Sequence, residues 1–203
     1  YLTQFLNDPR VIDINPIGRF VLVNGIIVPF RASKSAKLYQ KIWTPEGSPL
    51  LINSNKMKTL LQKELSNYAN ASSDKGENFI VELGMRYQNP SIESALNKLK
   101  ASQVSKIIII PLYPQYASSS TGSSVEEAIR LIQKWEVIPA FEVISKFYDN
   151  PDFIAACIDR AKKYFLPSSK REGLGEEFDY FIFSYTGLPE RHIMKGSAKY
   201  GSN

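Results

Sequence analysis

From residue 79 onward, short runs of β-branched and aromatic residues alternate with stretches whose apolar side chains recur every three to four positions. Parallel neighbouring strands need a connection long enough to bring the chain back to the same end of the sheet, and a helix is the usual solution. The alternation therefore predicts an open α/β architecture with a parallel sheet flanked by helices.

The individual elements follow from local signals. Phe79–Leu83 reads as the first strand of this region, and Asn89-Pro90 as a cap followed by proline at the first helical position. The helix behind it carries Ile92, Ala95, Leu96 and Leu99 on one stripe. Ile107–Ile110 predicts a strand buried on both faces. Ser123 with Glu126 three residues later is a capping box for a helix running to about Lys134, and a strand follows near Phe141–Ile144. Asn150-Pro151 repeats the cap-plus-proline device, with Phe153, Ile154, Cys157, Ile158 and Ala161 as the expected buried face. Pro167–Glu177 reads as a loop and Tyr180–Ser184 as one more strand. Upstream, Leu50, Met57, Leu60, Leu61 and Leu65 mark a long amphipathic helix after Gly47-Ser48-Pro49.

Composition narrows the partners. A chain of 203 residues that is 43% hydrophobic can bury a core, and its 22% charged residues are mixed in sign. The net charge of +5 comes from scattered basic residues without the stripe that nucleic-acid binding requires, and it suits a small carboxylate-bearing ligand. The single cysteine, Cys157, can form neither an internal disulfide nor, alone, an iron–sulfur or structural zinc site, which points to a reducing compartment. The longest apolar run, Phe20–Phe30, falls well short of the roughly 20 residues that cross a bilayer. With Gly25 inside it, this run is either a core element or an exposed lip that admits an apolar substrate. Tyr1 has no methionine before it and Asn203 follows no completed element, so the sequence reads as a fragment.

In open parallel sheets the ligand crevice lies beyond the carboxyl ends of the strands. Three such places carry chemistry: Gly84-Met85-Arg86-Tyr87, Tyr113-Pro114-Gln115-Tyr116 with the serines after it, and Tyr185-Thr186-Gly187-Leu188-Pro189. If they converge, the cleft has aromatic faces, hydroxyls and one arginine, which fits a flat apolar ligand with a polar edge. Arg86 reads equally well as a salt-bridged surface residue, Tyr87 as a half-buried strand-end aromatic, and Ser123 and Ser124 as caps. Lone histidines such as His192 are more often solvated or structural than metal ligands. A second group precedes the long helix: Arg31 and Lys34, one helical turn apart, could clamp a carboxylate beside Tyr39 and Ser48, or form a solvated basic face.

Taken in order, Phe5-Leu6-Asn7-Asp8-Pro9-Arg10-Val11, Ile42-Trp43-Thr44-Pro45-Glu46-Gly47-Ser48-Pro49-Leu50, Gly84-Met85-Arg86-Tyr87, Pro111-Leu112-Tyr113-Pro114-Gln115-Tyr116, Ser120-Thr121-Gly122-Ser123 and Phe183-Ser184-Tyr185-Thr186-Gly187-Leu188-Pro189 resemble the ferrochelatase family. The resemblance implies two similar Rossmann-like domains holding a porphyrin between them. Residues 1–148 then correspond to the first domain, its opening strand expected before Tyr1, and residues 149–203 to the start of the second. The family's catalytic glutamate is expected in the remainder of that second domain, so the 203 residues alone are expected to be inactive.

The same resemblance implies insertion of Fe²⁺ into a dicarboxylate porphyrin, protoporphyrin IX or coproporphyrin III, with no cofactor beyond the substrate iron. It assigns Arg31, Lys34, Tyr39 and Ser48 to the porphyrin propionates, Arg86 and Tyr87 to the metal-entry side of the pocket, and Tyr116 to a loop of the same cleft. Thr186 falls where the family's pattern Ser-x-His-Gly-Leu-Pro has its histidine. A threonine hydroxyl has no basic pKa near neutrality and cannot take that histidine's place as a proton acceptor, which leaves a catalytically impaired or non-catalytic porphyrin-binding homologue as the alternative. A cytoplasmic location, with peripheral contact to the inner membrane through Phe20–Phe30, completes the expectation.

Overall fold

The structure, a computed structural model, describes residues 1–71, 78–165, 182 and 187. The chain divides into two compact units, one of Tyr1–Ile109 with Gly122–Val143, the other of Ile110–Thr121 and the chain from Ile144 onward.

The first unit opens on a short helix, α1 (Leu2–Leu6), followed by α2 (Pro16–Phe20). Asn15 starts α2 by accepting from Gly18 N at 2.7 Å, with Pro16 at the first helical position, where its missing N–H costs nothing. A π-helical stretch, Val21–Ile27, joins α2 to α3 (Val28–Gln40) without a break in helical backbone. The apolar run Phe20–Phe30 is thus helical and mostly solvent-facing. Val23 is fully buried, but Phe20 and Phe30 are 64% and 77% exposed. Of the two readings of this run, its exposure among the described residues matches a lip rather than a core element. After the turn at Gly47 comes α4 (Pro49–Ala71); Leu50 and Leu60 on its expected stripe stay largely exposed among the described residues.

Phe79–Leu83 is extended but joins no ladder among the described residues, contrary to the strand expected there. Its backbone is satisfied from α4 instead: Gln62 donates to Phe79 O at 2.7 Å and accepts from Val81 N at 2.8 Å. One amide side chain thus occupies the groups a neighbouring strand would use. The next helix, α5, spans Ile92–Ala101 and is capped by Ser91, whose hydroxyl accepts from Ser94 N at 3.0 Å. Asn89 and Pro90 do not start it; they lie in a turn closed by Met85 N donating to Pro90 O at 2.7 Å. Lys98 and Lys100 in its last turn complement the helix dipole.

Strand β1 (Lys106–Ile109) pairs with β2 (Ala140–Val143) in parallel, Ile107 opposite Phe141 and Ile109 opposite Val143. Helix α6 (Ser123–Ile132) lies between them in sequence, so the β–helix–β unit anticipated from the alternation is present. Leu96, Ile107, Ala128, Leu131 and Ile132 form the core where α5 and α6 cover one sheet face, with Ile92, Leu99 and Trp135 at its edge. The isoleucine run is not buried on both faces as expected. Ile107 is buried while Ile108 is 49% exposed, because the helices cover only the face that odd-numbered residues occupy.

Ser118–Gly122 forms a π-helical turn, and in the second unit Pro114 O accepts from Phe147 N and Tyr148 N at 2.9 and 3.1 Å. Helix α7 (Pro151–Phe165) starts as the sequence predicts, with Asn150 Oδ1 accepting from Asp152 N and Phe153 N at 2.9 and 3.2 Å. Its apolar stripe is not covered by described residues: Ile154, Cys157 and Ile158 are exposed. Among the described residues, Phe153 packs its ring edge-on against Phe147 at 5.2 Å.

Candidate functional site

Several polar groups of the first unit converge on Asp8, in the loop that follows α1. Its side chain is 1% exposed, yet it is anionic and well supplied with donors. Arg86 Nη2 donates to Oδ2 at 2.8 Å, Tyr87 Oη at 2.8 Å, and the buried Ser123 Oγ donates to the same oxygen. The other oxygen accepts from Arg10 N at 2.7 Å. Arg86 Nε also reaches Ser123 Oγ and O, at 2.7 and 3.1 Å. Three segments far apart in sequence are thereby tied together: the α1–α2 loop, the turn at Arg86-Tyr87, and the start of α6.

This overturns the capping-box reading. Ser123 gives its hydroxyl to Asp8, α6 has no side-chain cap, and Glu126 is paired with the Arg10 guanidinium. The ionised partner and the arginine offer a buried hydroxyl more than a helix N–H does. Arg86, for its part, is neither a plain surface ion pair nor a free cleft cation, since its side chain is 22% exposed and held at three oxygens.

The electrostatics follow from these contacts. Burial by itself would raise the Asp8 carboxyl, but hydrogen bonds from Ser123, Arg10 N and Tyr87, together with the Arg86 cation, hold it below the usual carboxylate value. Tyr87 is pushed far up, first by burial and then by the Asp8 anion that accepts its hydrogen bond, partly offset by Ser123 and Arg86. Its hydroxyl stays protonated through the physiological range. It can donate and orient, but it cannot act as a base there.

Tyr87 also anchors an aromatic cluster. Its ring meets those of Phe5 and Tyr1 edge-on at 5.6 and 6.0 Å, Tyr1 meets Tyr39 at 6.4 Å, and Tyr39 meets Trp43 at 6.3 Å. The two groups singled out in the sequence, Arg86-Tyr87 and α3, are therefore linked through Tyr1. A cavity of about 370 Å³ opens beside the network, with Gln4, Asp8, Met85, Arg86, Tyr87 and Glu127 in its wall.

Arg31, Lys34 and Tyr39 all sit on α3 and are exposed; neither cation has a salt bridge or hydrogen bond among the described residues. Ser48 is half-buried beside Gly47, whose φ of +114° lies where a side chain is strained. Tyr116, 52% exposed, belongs to the second unit. Thr186, His192 and all of the expected strand 180–184 but Ile182 lie outside the described residues. Among the described residues no group of His, Cys, Asp and Glu is arranged to hold a metal ion.

The sequence does not single out Asp8 as a functional residue, although it stands inside the motif Asn7-Asp8-Pro9. Its one legible signal was an acid within an otherwise apolar-and-turn segment, which local periodicity cannot distinguish from a helix-terminating residue. Among relatives, the protein named ferrochelatase from Coxiella burnetii (strain Dugway 5J108-111) is 42% identical over 200 residues, covering 98% of this chain and 50% of its own. The ferrochelatase of Legionella pneumophila (strain Paris) is 41% identical over 195 residues, covering 96% and 52%. The chain thus spans about half the length of these curated relatives. The family model for ferrochelatase matches residues 1–202, which takes in every segment described above, and the chain belongs to the ferrochelatase family.

Proposed function

We propose that the intact protein inserts ferrous iron into a dicarboxylate porphyrin, with Fe²⁺ as substrate and no resident cofactor. The observation that carries this reading is the family match across residues 1–202, which includes the Asp8 network and α3 alike. The chemistry needs a rigid frame that orients the macrocycle, cations for its carboxylates, and an acceptor for the two pyrrole protons that iron replaces.

Arg31 and Lys34 supply the cations in this reading. They are exposed and unpaired on one turn of α3, the helix that also carries Tyr39, so neither cation is already neutralised by an anion among the described residues. By the family resemblance, Ser48 and Tyr116 each offer a hydroxyl to the porphyrin. Arg86 and Tyr87 serve as a rigid wall, since Arg86 Nε and Nη2 and the Tyr87 hydroxyl hydrogen are already committed to Asp8 and Ser123. Thr186 stands at the family's histidine position and lacks a basic group, so proton acceptance falls to another residue or to water. Two Rossmann-like domains, divided near residue 148, complete the proposed architecture. The exposed apolar lip around Phe20 and Phe30 suits peripheral contact with the inner membrane of a cytoplasmic enzyme.

Titration of porphyrin fluorescence against Arg31→Ala/Lys34→Ala tests the clamp. Each charge-assisted contact is worth roughly 1.5–3 kcal/mol, so the double variant should bind more weakly by at least about tenfold. Unchanged affinity would remove these residues from the binding site.

A further inference from the structure

We propose that Asp8 is a positioning residue for the reaction, holding Arg86 and Tyr87 as one unit; this deepens the porphyrin reading above and rests on it. The geometry is specific. One carboxylate oxygen receives Arg86 Nη2, Tyr87 Oη and Ser123 Oγ, and the other receives Arg10 N at 2.7 Å. Ser123 closes the arrangement by also accepting from Arg86 Nε at 2.7 Å. The guanidinium is stacked on its neighbour as well, with Arg86 Cζ 4.9 Å from the centre of the Tyr87 ring.

A single buried acceptor thus fixes the rotamers of two adjacent side chains that line the same cavity. Neither is free to rotate without leaving a buried anion short of donors, which is costly. The carboxylate also fixes the hydrogen of the Tyr87 hydroxyl. With its proton directed at Asp8, the phenol oxygen has only lone pairs left for anything entering the cavity. The opposite charges of Asp8 and Arg86 offset each other, so Arg86 competes less with Arg31 and Lys34 for a ligand's carboxylates. Asp8 itself touches no substrate in this account and acts only through Arg86 and Tyr87.

The test is a double-mutant cycle in the intact protein, scored on metal insertion into porphyrin. Asp8→Asn should lower kcat by on the order of ten- to a hundredfold, with the porphyrin KM within about twofold, the scale expected when reacting groups are slightly misplaced. In an Arg86→Lys/Tyr87→Phe background the same substitution should cost at most about threefold more, because the groups it positions are already gone. A purely structural residue would lose the same factor in both backgrounds, and that result, or a wild-type kcat for folded Asp8→Asn, overturns the proposal. Should Asp8→Asn not fold, Asp8→Glu keeps the charge and displaces it; failure of both to fold would make Asp8 a folding residue only and overturns the proposal equally. An independent readout needs no activity. NMR titration of ring-labelled tyrosine, assigned with Tyr87→Phe, should show the Tyr87 phenol ionising at lower pH in Asp8→Asn. Absence of insertion by the wild-type protein would count against the porphyrin reading, while this titration would still decide whether Asp8 controls Tyr87.

Discussion

Asp8 shows how burial and hydrogen bonding oppose each other at a single side chain. Desolvation favours the neutral acid, yet the donors from Ser123, Arg10 N and Tyr87, with Arg86, hold the folded carboxyl below its ordinary value. Folding therefore favours the ionised form. That contribution to stability is complete above the unfolded-state value of about 3.9 and is lost as pH falls through the lower folded value. Chemical denaturation of the wild-type chain and of Asp8→Asn between pH 7 and pH 2.5 should show their stabilities converging below about pH 4. At pH 7 the variant should be less stable by about 3 kcal/mol or more, as expected when one partner of a buried pair is removed. A gap that stays constant with pH would mean that the carboxylate's charge is not what stabilises the network.

At the scale of elements, Gln62 does the work that a strand would otherwise do. Its amide bridges α4 to the extended segment Phe79–Leu83 through Phe79 O and Val81 N. Two further links hold the same join, since Glu82 accepts from Lys58 Nζ on α4 at 2.9 Å and from Lys98 Nζ on α5 at 3.2 Å. The extended segment leads directly to Gly84, where an added Cβ would lie 2.9 Å from the backbone of Ile92, and then to Arg86 and Tyr87. The position of the Asp8 network thus depends on this join. Gln62→Leu, which preserves size but leaves two backbone groups unpaired, should destabilise the chain by about 2 kcal/mol. Hydrogen exchange at Val81 N should accelerate in the variant; unchanged protection there would show that the amide is satisfied in another way.

For the molecule as a whole, the decisive surface is the helical lip of α2, the π-helical stretch and α3. Ile17, Phe20, Val21, Ile26 and Phe30 are each more than half exposed, an unusual amount of apolar surface for one continuous helical run. No helix among the described residues is long and apolar enough to cross a membrane. If the lip meets a bilayer, Phe20→Ser/Phe30→Ser should reduce co-flotation of the intact protein with anionic lipid vesicles by at least about fivefold, since each buried phenylalanine contributes roughly 1.5–3 kcal/mol. Equal flotation would assign the lip to substrate entry alone.

Much of this was open to the sequence because the signals were local. The α/β class, the parallel pairing of two strands across α6, the Asn150 cap and the apolar stripe of α5 all depend on residues a few positions apart, where backbone geometry leaves little choice. The conjunction of six ordered motifs likewise carried the family. What local pattern could not reach was any choice made between distant partners. Phe79–Leu83 has strand composition, but among the described residues it is the Gln62 side chain that pairs with its backbone. Ser123 has the spacing of a cap, but a buried carboxylate 115 residues away is the stronger acceptor for its hydroxyl. Asp8 was invisible as a hub for the same reason: a hydrogen-bond network is closed by tertiary contacts, and those contacts alone decide which polar group is buried with its partners.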